Sequence, residues 1–339
     1  MKKFLRYFFL LIVTLALLST LVVVRGRADF PASADPQFDA QINMTQRDQI
    51  DAEQPQLILL GDSMVEENVD LPTLSNALGR SIHRISYPGA ASAMWYLSIK
   101  NNIVAAAHKP QALILLFRDS TLTTPDYRVG GSFNQVLDTL AGADESVLIQ
   151  RAFLNHMNPL EKSARQLFPW YGFGFQVRDG VDYANRMALP RILLACRKRC
   201  VDTAFLNIFS FRTVATPAAN DPVAQSESVL YTQRALDFDA QVGTSFLPEI
   251  IRLCKENGIP LILVRGKTIS FIHLPKPAGL DDYILNLGDY LTKNGVRFAD
   301  LEPDARLGEG DYIDRFHVQP AARGAYTQML AEALIPLLP

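Results

Sequence analysis

The feature that most constrains this chain is a set of short apolar runs without polar alternation: Leu57–Leu60, Ala112–Phe117 and Pro260–Val264. Such runs are too short for ordinary helices. Their lack of alternation predicts strands covered on both faces, as in a parallel sheet between helical layers. Ile82–Tyr87 and Val296–Leu301 read as two further strands. Helical patterns fall between them. Asp70 caps a short helix with Pro72 in its first turn and Gly79 as its stop. Others are predicted over Ser92–Ala107, Phe246–Asn257 and Asp281–Asn294. A last helix starts with Pro320 in its first turn and buries Tyr326, Met329, Leu330, Ala333 and Leu334. The alternation predicts an α/β fold, a three-layer α/β/α open parallel sheet.

The alternation breaks at about residue 120 and resumes at about 240. Helical patterns near Gln135–Leu140, Glu145–Leu154, Leu160–Leu167 and Arg186–Arg199, with a turn-rich run Thr213–Asp221, make this a helical insertion. Insertions at a sheet's carboxyl edge serve as lids or docking surfaces. The run Phe168-Pro169-Trp170-Tyr171-Gly172-Phe173-Gly174-Phe175 has two readings: an aromatic platform for sugar rings or lipid, or core packing around a glycine turn. Cys196 and Cys200 stand four apart, a spacing that rarely has bridging geometry on a regular helix, and their disulfide stays open. Cys254 is alone. No residue set has zinc-site spacing, so no metal and no organic cofactor are expected.

The amino-terminal end is of another kind. Lys2, Lys3 and Arg6 precede Tyr7–Val24, which carries no charge. Eighteen helical residues rise roughly 27 Å, close to the hydrocarbon thickness of a bilayer. Arg25-Gly26-Arg27 follows, and the nearest Ala-x-Ala pattern, Ala32-Ser33-Ala34, lies well downstream, which favours an uncleaved anchor over a cleaved signal. The basic start predicts a cytoplasmic amino terminus with the bulk of the chain outside, a periplasmic placement in a two-membrane cell. Residues 1–27 thus form the anchor, 28–55 a polar tether that allows a short helix near Thr45–Ala52, and 56–339 the main domain. Five of the 33 basic and none of the 35 acidic residues lie in the anchor, leaving the rest at a net charge of about −7. That excludes nucleic acid as an expected partner.

Two motifs carry chemistry. Gly61-Asp62-Ser63 ends the first strand and delivers a hydroxyl to the sheet's carboxyl edge; Asp314-Arg315-Phe316-His317 precedes the last helix. Serine, histidine and aspartate are the parts of an activated acyl-transfer nucleophile. Together the motifs resemble the SGNH/GDSL hydrolase superfamily, whose first block contains Gly-Asp-Ser and whose last contains Asp-x-x-His. The resemblance covers roughly residues 55–120 and 245–338 and implies a flavodoxin-like fold with Ser63 as nucleophile, His317 as base and Asp314 as its orienting carboxylate. It also implies an oxyanion hole made by the backbone N–H of Ser63, that of Gly89 and a third donor. In the family that donor is the asparagine of a Gly-x-Asn-Asp block. Here Leu116-Phe117-Arg118-Asp119 stands in its place, so Arg118 occupies the asparagine's position. The glycine usual five residues after the histidine is Ala322. Arg265 and Lys267, beyond the fourth strand, are candidates for holding an anionic substrate group.

The anchor, the insertion and these departures resemble a membrane-tethered subset of the superfamily. Its members work beside membrane-bound O-acyltransferases in acylating cell-envelope polymers, as the teichoic-acid D-alanyl transfer protein does. The expectation is serine-dependent O-acyl transfer or ester hydrolysis on an envelope glycan, in the membrane and beside a polytopic O-acyltransferase. The alternatives are a non-catalytic assembly subunit and a lipid-directed esterase.

Overall fold

The computed structural model describes residues 2–26, 38, 42–130, 132–142, 144–167, 227–271 and 275–339. The aromatic run Phe168–Phe175, the helical pattern Arg186–Arg199, the turn-rich run Thr213–Asp221 and both Cys196 and Cys200 lie outside them, as do residues 28–37 and 39–41 of the tether. The chain divides into two compact units, Met1–Gln37 with His156–Ser226, and Phe38–Asn155 with Glu227–Pro339.

In the first unit, Lys2–Gly26 is a 25-residue helix and Pro159–Leu167 a short one. The side chains described on the first helix run from Lys3 to Leu18, and its large apolar groups, including Phe4, Leu5, Phe9 and Leu17, are exposed. Among the described residues no helix is long and apolar enough to cross a membrane.

The second unit holds five parallel strands in the order β2-β1-β3-β4-β5: β1 Leu57–Gly61, β2 Ile82–Ser86, β3 Ala112–Phe117, β4 Leu261–Arg265 and β5 Arg297–Asp300. Alternate residues of the central strands sort into two cores. Ile58, Leu60, Leu113, Leu115, Phe117, Leu261 and Leu263 share one with the helices Ser92–Ser98, Leu247–Glu256 and Leu280–Lys293. Leu57, Leu59, Ala112, Ile114, Leu116, Ile262 and Val264 share the other with Ser63–Glu67, Leu71–Leu78 and Arg323–Leu334. A two-residue period feeding two buried faces explains why these strands read as unbroken apolar runs. The three layers are those the sequence predicts.

Several boundaries differ for identifiable reasons. The helix after β2 keeps regular α geometry only over Ser92–Ser98 and passes into a π-helical turn, Ile99–Ile103. The last helix begins at Arg323; Pro320 sits in a turn closed by Ala322 N–H on the Gln319 carbonyl (2.9 Å). The short helix expected near Thr45–Ala52 is present, and it packs on the main unit. Thr45–Glu53 is a helix of the main unit: Ile50 is fully buried in the core, and His83 on β2 meets Glu53 Oε2 (2.8 Å) and Gln46 Oε1 (3.0 Å). Ile50, with Phe38 packed against the same core, seats a segment whose composition resembles a linker. Of the cysteines, Cys254 is described: it is buried and its thiol is pushed up to about 12 by burial, so it packs as an inert apolar group.

Gly61 closes β1 where helix and sheet approach most tightly. A methyl group there would press into Val65 Cγ2 and come within 3.0 Å of the Leu116 carbonyl oxygen. Gly61→Ala is therefore expected to destabilise the fold by about 1–3 kcal/mol. A shifted midpoint with an unchanged slope in urea denaturation would register it.

Candidate active site

The sheet's carboxyl edge holds every residue of the candidate site. β1 ends at Gly61, Asp62 turns the chain, and Ser63 opens the helix Ser63–Glu67. Asp62 caps that helix, its Oδ1 accepting from Met64 N–H (2.9 Å). The turn is pinned to the neighbouring strand, where Ser86 Oγ donates to the Asp62 carbonyl (3.0 Å). Ser63 Oγ lies 2.8 Å from His317 Nε2, and His317 Nδ1 lies 2.8 Å from Asp314 Oδ2. The spacing of three between acid and imidazole works because the loop folds back on itself. Tyr312 and Val318 pair across it, and Ile313 N–H donates to the His317 carbonyl (2.8 Å). Asp314 Oδ1 accepts from the N–H groups of Phe316 (2.8 Å) and His317 (2.9 Å). Burial pushes the Asp314 carboxyl up, but the ring and backbone hydrogen bonds outweigh it and hold the group below its ordinary value. It is therefore ionised at neutral pH, as an orienting carboxylate must be.

Asn68, a residue the sequence motifs pass over, locks the two halves of this relay together. It caps the Ser63–Glu67 helix and is fully buried. Its Nδ2 donates to the Phe316 carbonyl (2.7 Å) and its Oδ1 accepts from Val318 N–H (3.0 Å), the two residues flanking His317. A buried amide satisfied on both sides fixes register as well as contact. A polar residue five positions past the nucleophile on an otherwise apolar face was the available signal.

The candidate oxyanion donors divide. Among the described residues nothing accepts a hydrogen bond from the backbone N–H of Ser63 or of Gly89, and both residues are partly open to solvent. Gly89 has φ +72°, a backbone conformation that favours glycine. Arg118 turns inward instead. It is 3% exposed and its guanidinium carbon stands 4.0 Å from the Phe316 ring centroid. Its Nε donates to Asp62 Oδ2 (3.3 Å) and its Nη1 to Glu227 Oε2 (2.9 Å). Burial lowers the proton affinity of this guanidinium, and the carboxylates of Asp62 and Glu227 more than restore it, so the charge is permanent. Nε and Nη1 of Arg118 are thus committed to Asp62 and Glu227, beside the Ser63 turn, with the guanidinium against the ring that neighbours His317.

Arg265 and Lys267 are likewise committed inside the protein. Arg265 is 4% exposed; its Nε and Nη2 both donate to Asp119 Oδ1 (3.0 and 2.7 Å) and its Nη1 to Asp300 Oδ2 (3.1 Å). Lys267 Nζ donates to the Glu302 carbonyl (3.0 Å). A strand-end arginine reads as a substrate ligand in sequence; here it ties three strand ends together, with Asp119 held at φ +39°. Among the described residues no group of three or more His, Cys, Asp and Glu is placed to hold a metal ion.

Comparison with known proteins yields no matching family model and no matching curated protein. Distant likenesses exist among solved structures. A putative acylhydrolase from Bacteroides fragilis aligns over 88% of this chain and 98% of its own, at 12% identity and a TM-score of 0.42. A GDSL-like lipase from Bacteroides thetaiotaomicron aligns over 87% and 97%, at 10% identity and a TM-score of 0.40. A variant of an acetyl-xylooligosaccharide esterase from Geobacillus aligns over 84% and 94%, at 11% identity and a TM-score of 0.38.

The buried charges make two predictions. Arg118→Ala leaves the Asp62 and Glu227 carboxylates facing an emptied site, and a loss of about 3–5 kcal/mol in chemical denaturation is expected. For Glu227, burial pushes the carboxyl up, but Arg118, Tyr127 and Arg128 outweigh it, so its folded value lies below the ordinary 4.5. A depressed carboxylate contributes stability that is complete above its unfolded value and lost as pH falls through the folded one. Below about pH 4.5 the unaltered protein should therefore lose stability more steeply than Glu227→Gln, measured as melting temperature against pH.

Proposed function

We propose that this protein is a serine-dependent esterase or O-acyltransferase that passes an acyl group through Ser63. The observation that carries the reading is the continuous relay Ser63 Oγ, His317 Nε2, His317 Nδ1, Asp314 Oδ2, with 2.8 Å at each hydrogen bond. As Ser63 Oγ attacks an acyl carbonyl carbon, His317 Nε2 takes the hydroxyl proton and Asp314 stabilises the imidazolium. The carbonyl electrons move onto oxygen, which the Ser63 and Gly89 N–H groups are free to receive. Collapse expels the alcohol, which takes the proton from His317 and leaves the acyl group on Ser63. Water or a second hydroxyl then repeats the sequence in reverse. With Asp314, His317 and Ser63 in register, a catalytic role is the better reading than that of an assembly subunit which keeps the fold alone.

Other parts of the chain support a reading of the substrate and the setting. The uncharged run Tyr7–Val24, preceded by Lys2, Lys3 and Arg6, supports reading the amino-terminal end as an anchor with those basic residues on the cytoplasmic side and the catalytic unit outside. An anchored acyl-transfer site in that position fits hydroxyls of an envelope glycan as acceptors, with a polytopic O-acyltransferase as the source of acyl groups. The exposed apolar side chains from Phe4 to Leu18 support the membrane assignment.

Ser63→Ala should abolish both turnover of a small acyl ester and labelling by a fluorophosphonate, with little change in melting temperature. His317→Ala should match it, since members of such a unit fail together. Label retained on Ser63→Ala would defeat the nucleophile assignment. For topology, a carboxyl-terminal reporter should be active outside the cytoplasm and the protein should stay in the membrane fraction after a high-salt wash. A shortened soluble form would show a cleaved leader instead.

A further inference from the structure

The oxyanion site has two open backbone donors, and the guanidinium at the family's third position is nearly buried, with Nε and Nη1 engaged by Asp62 and Glu227. A second arginine stands on the open side. Arg128 follows the short helical turn Asp119–Leu122 and has φ +56°, uncommon for a side chain of its size. Its Nη2 donates to Glu227 Oε1 (2.7 Å), the same carboxylate that holds Arg118 Nη1 through its other oxygen. Tyr127 OH also donates to Glu227 Oε1. The guanidinium lies over the rings of Tyr127 and Phe133, 5.0 and 5.4 Å from their centroids. One edge of the fork is thus fixed by a buried acid and its planes by two aromatic rings. The other edge is aimed at Gly89: a methyl group built on that glycine would lie 2.9 Å from Arg128 Nη1. Nη1 is therefore no more than about 4.4 Å from the Gly89 Cα, and among the described residues nothing accepts from it. Its side chain is 17% exposed, against 3% for Arg118.

We infer that Arg128 Nη1 supplies the third oxyanion donor, in place of the asparagine that the chain lacks. The inference rests on the serine-nucleophile reading above. In the tetrahedral step the Ser63 Oγ–carbon bond forms, the Oγ proton passes to His317 Nε2, and the carbonyl π electrons become the oxyanion. On this proposal that oxygen, seated on the Gly89 N–H, is shared with Nη1, which stands beside the same glycine. Gly89 then has two reasons to be glycine: its positive φ, and the arginine and Phe133 ring that fill the space of its side chain. Glu227 keeps the donor in place before the reaction starts, so no reorganisation is needed as charge develops. A carboxylate also balances the guanidinium in the resting site, leaving the attraction greatest when the substrate oxygen carries its charge.

The test is the rate of phosphonylation by an uncharged fluorophosphonate. Ser63 Oγ attacks phosphorus, fluoride leaves, and the phosphoryl oxygen takes the oxyanion's place. Arg128→Ala should slow the bond-forming rate constant by about 10²–10³, with the half-saturating concentration of the reagent little altered at a temperature where the variant is folded. Arg128→Lys keeps the charge and the Glu227 pair, but one ammonium lacks the fork that serves Glu227 and the oxyanion together. It should remain at least tenfold slow, and it settles the question should the alanine variant fold poorly. Labelling of Arg128→Ala at the unaltered rate, or full restoration by lysine, would overturn the inference and leave the serine mechanism standing. Absence of labelling in the unaltered protein would overturn both.

Discussion

Arg118 is the charge on which the carboxyl edge depends. Its guanidinium joins Asp62, next to Ser63, to Glu227, more than a hundred residues later, and lies against Phe316, next to His317. Removing such ions from water costs several kcal/mol each, and the cost is offset only when geometry and hydrogen bonding are complete. Here the pairs are nearly dry, so the three segments are fixed in one arrangement or in none. The same logic recurs one strand over. Arg265 ties Asp119 to Asp300, and Tyr231 OH donates to Asp119 (2.6 Å). The two arginines leave consecutive strands, β3 and β4, and each takes carboxylates from segments that flank it. Behind the half-open reactive groups stands a layer of paired charge in place of the apolar packing found deeper in the sheet.

That layer explains what was and was not legible in the sequence. The strands could be read because Leu57–Leu60 and Ala112–Phe117 are buried on both faces, and a double-sided burial leaves no alternation to confuse. The relay could be read because Gly61-Asp62-Ser63 and Asp314–His317 are local patterns, each complete within a few residues. The arginines could not. A guanidinium just past a strand has the same local sequence whether it faces substrate or a buried acid, and its partner decides. For Arg118 the partner is Glu227, which no spacing rule connects to residue 118; for Arg265 it is Asp119. Arg128 lacked even a strand to mark it, since its place over Gly89 is set by Glu227 and by the rings of Tyr127 and Phe133. Asn68 failed to stand out for a similar reason: its two hydrogen bonds are to backbone groups, which leave no trace in side-chain identity. Pairings across long sequence distances are where a single sequence is silent.

The tether shows the converse. Ala28–Pro55 is polar throughout its length by composition, yet Ile50 is fully buried and Asn43 N–H donates to the Thr139 carbonyl (2.8 Å). Composition averages over a segment, while burial is decided one side chain at a time.

The clamp made by Asn68 has a bearing on the life of the chain before it is complete. Ser63 and His317 are separated by 254 residues, and the histidine loop is held through the carbonyl of Phe316 and the N–H of Val318, close to the carboxyl terminus. During synthesis Ser63 emerges early and waits as an ordinary alcohol, because no imidazole is yet present to take its proton. Contacts this distant along the chain are among the last that folding closes. On the proposed mechanism Ser63 gains its base only once the segment around His317 is made and folded, and a molecule lacking that segment carries a silent serine.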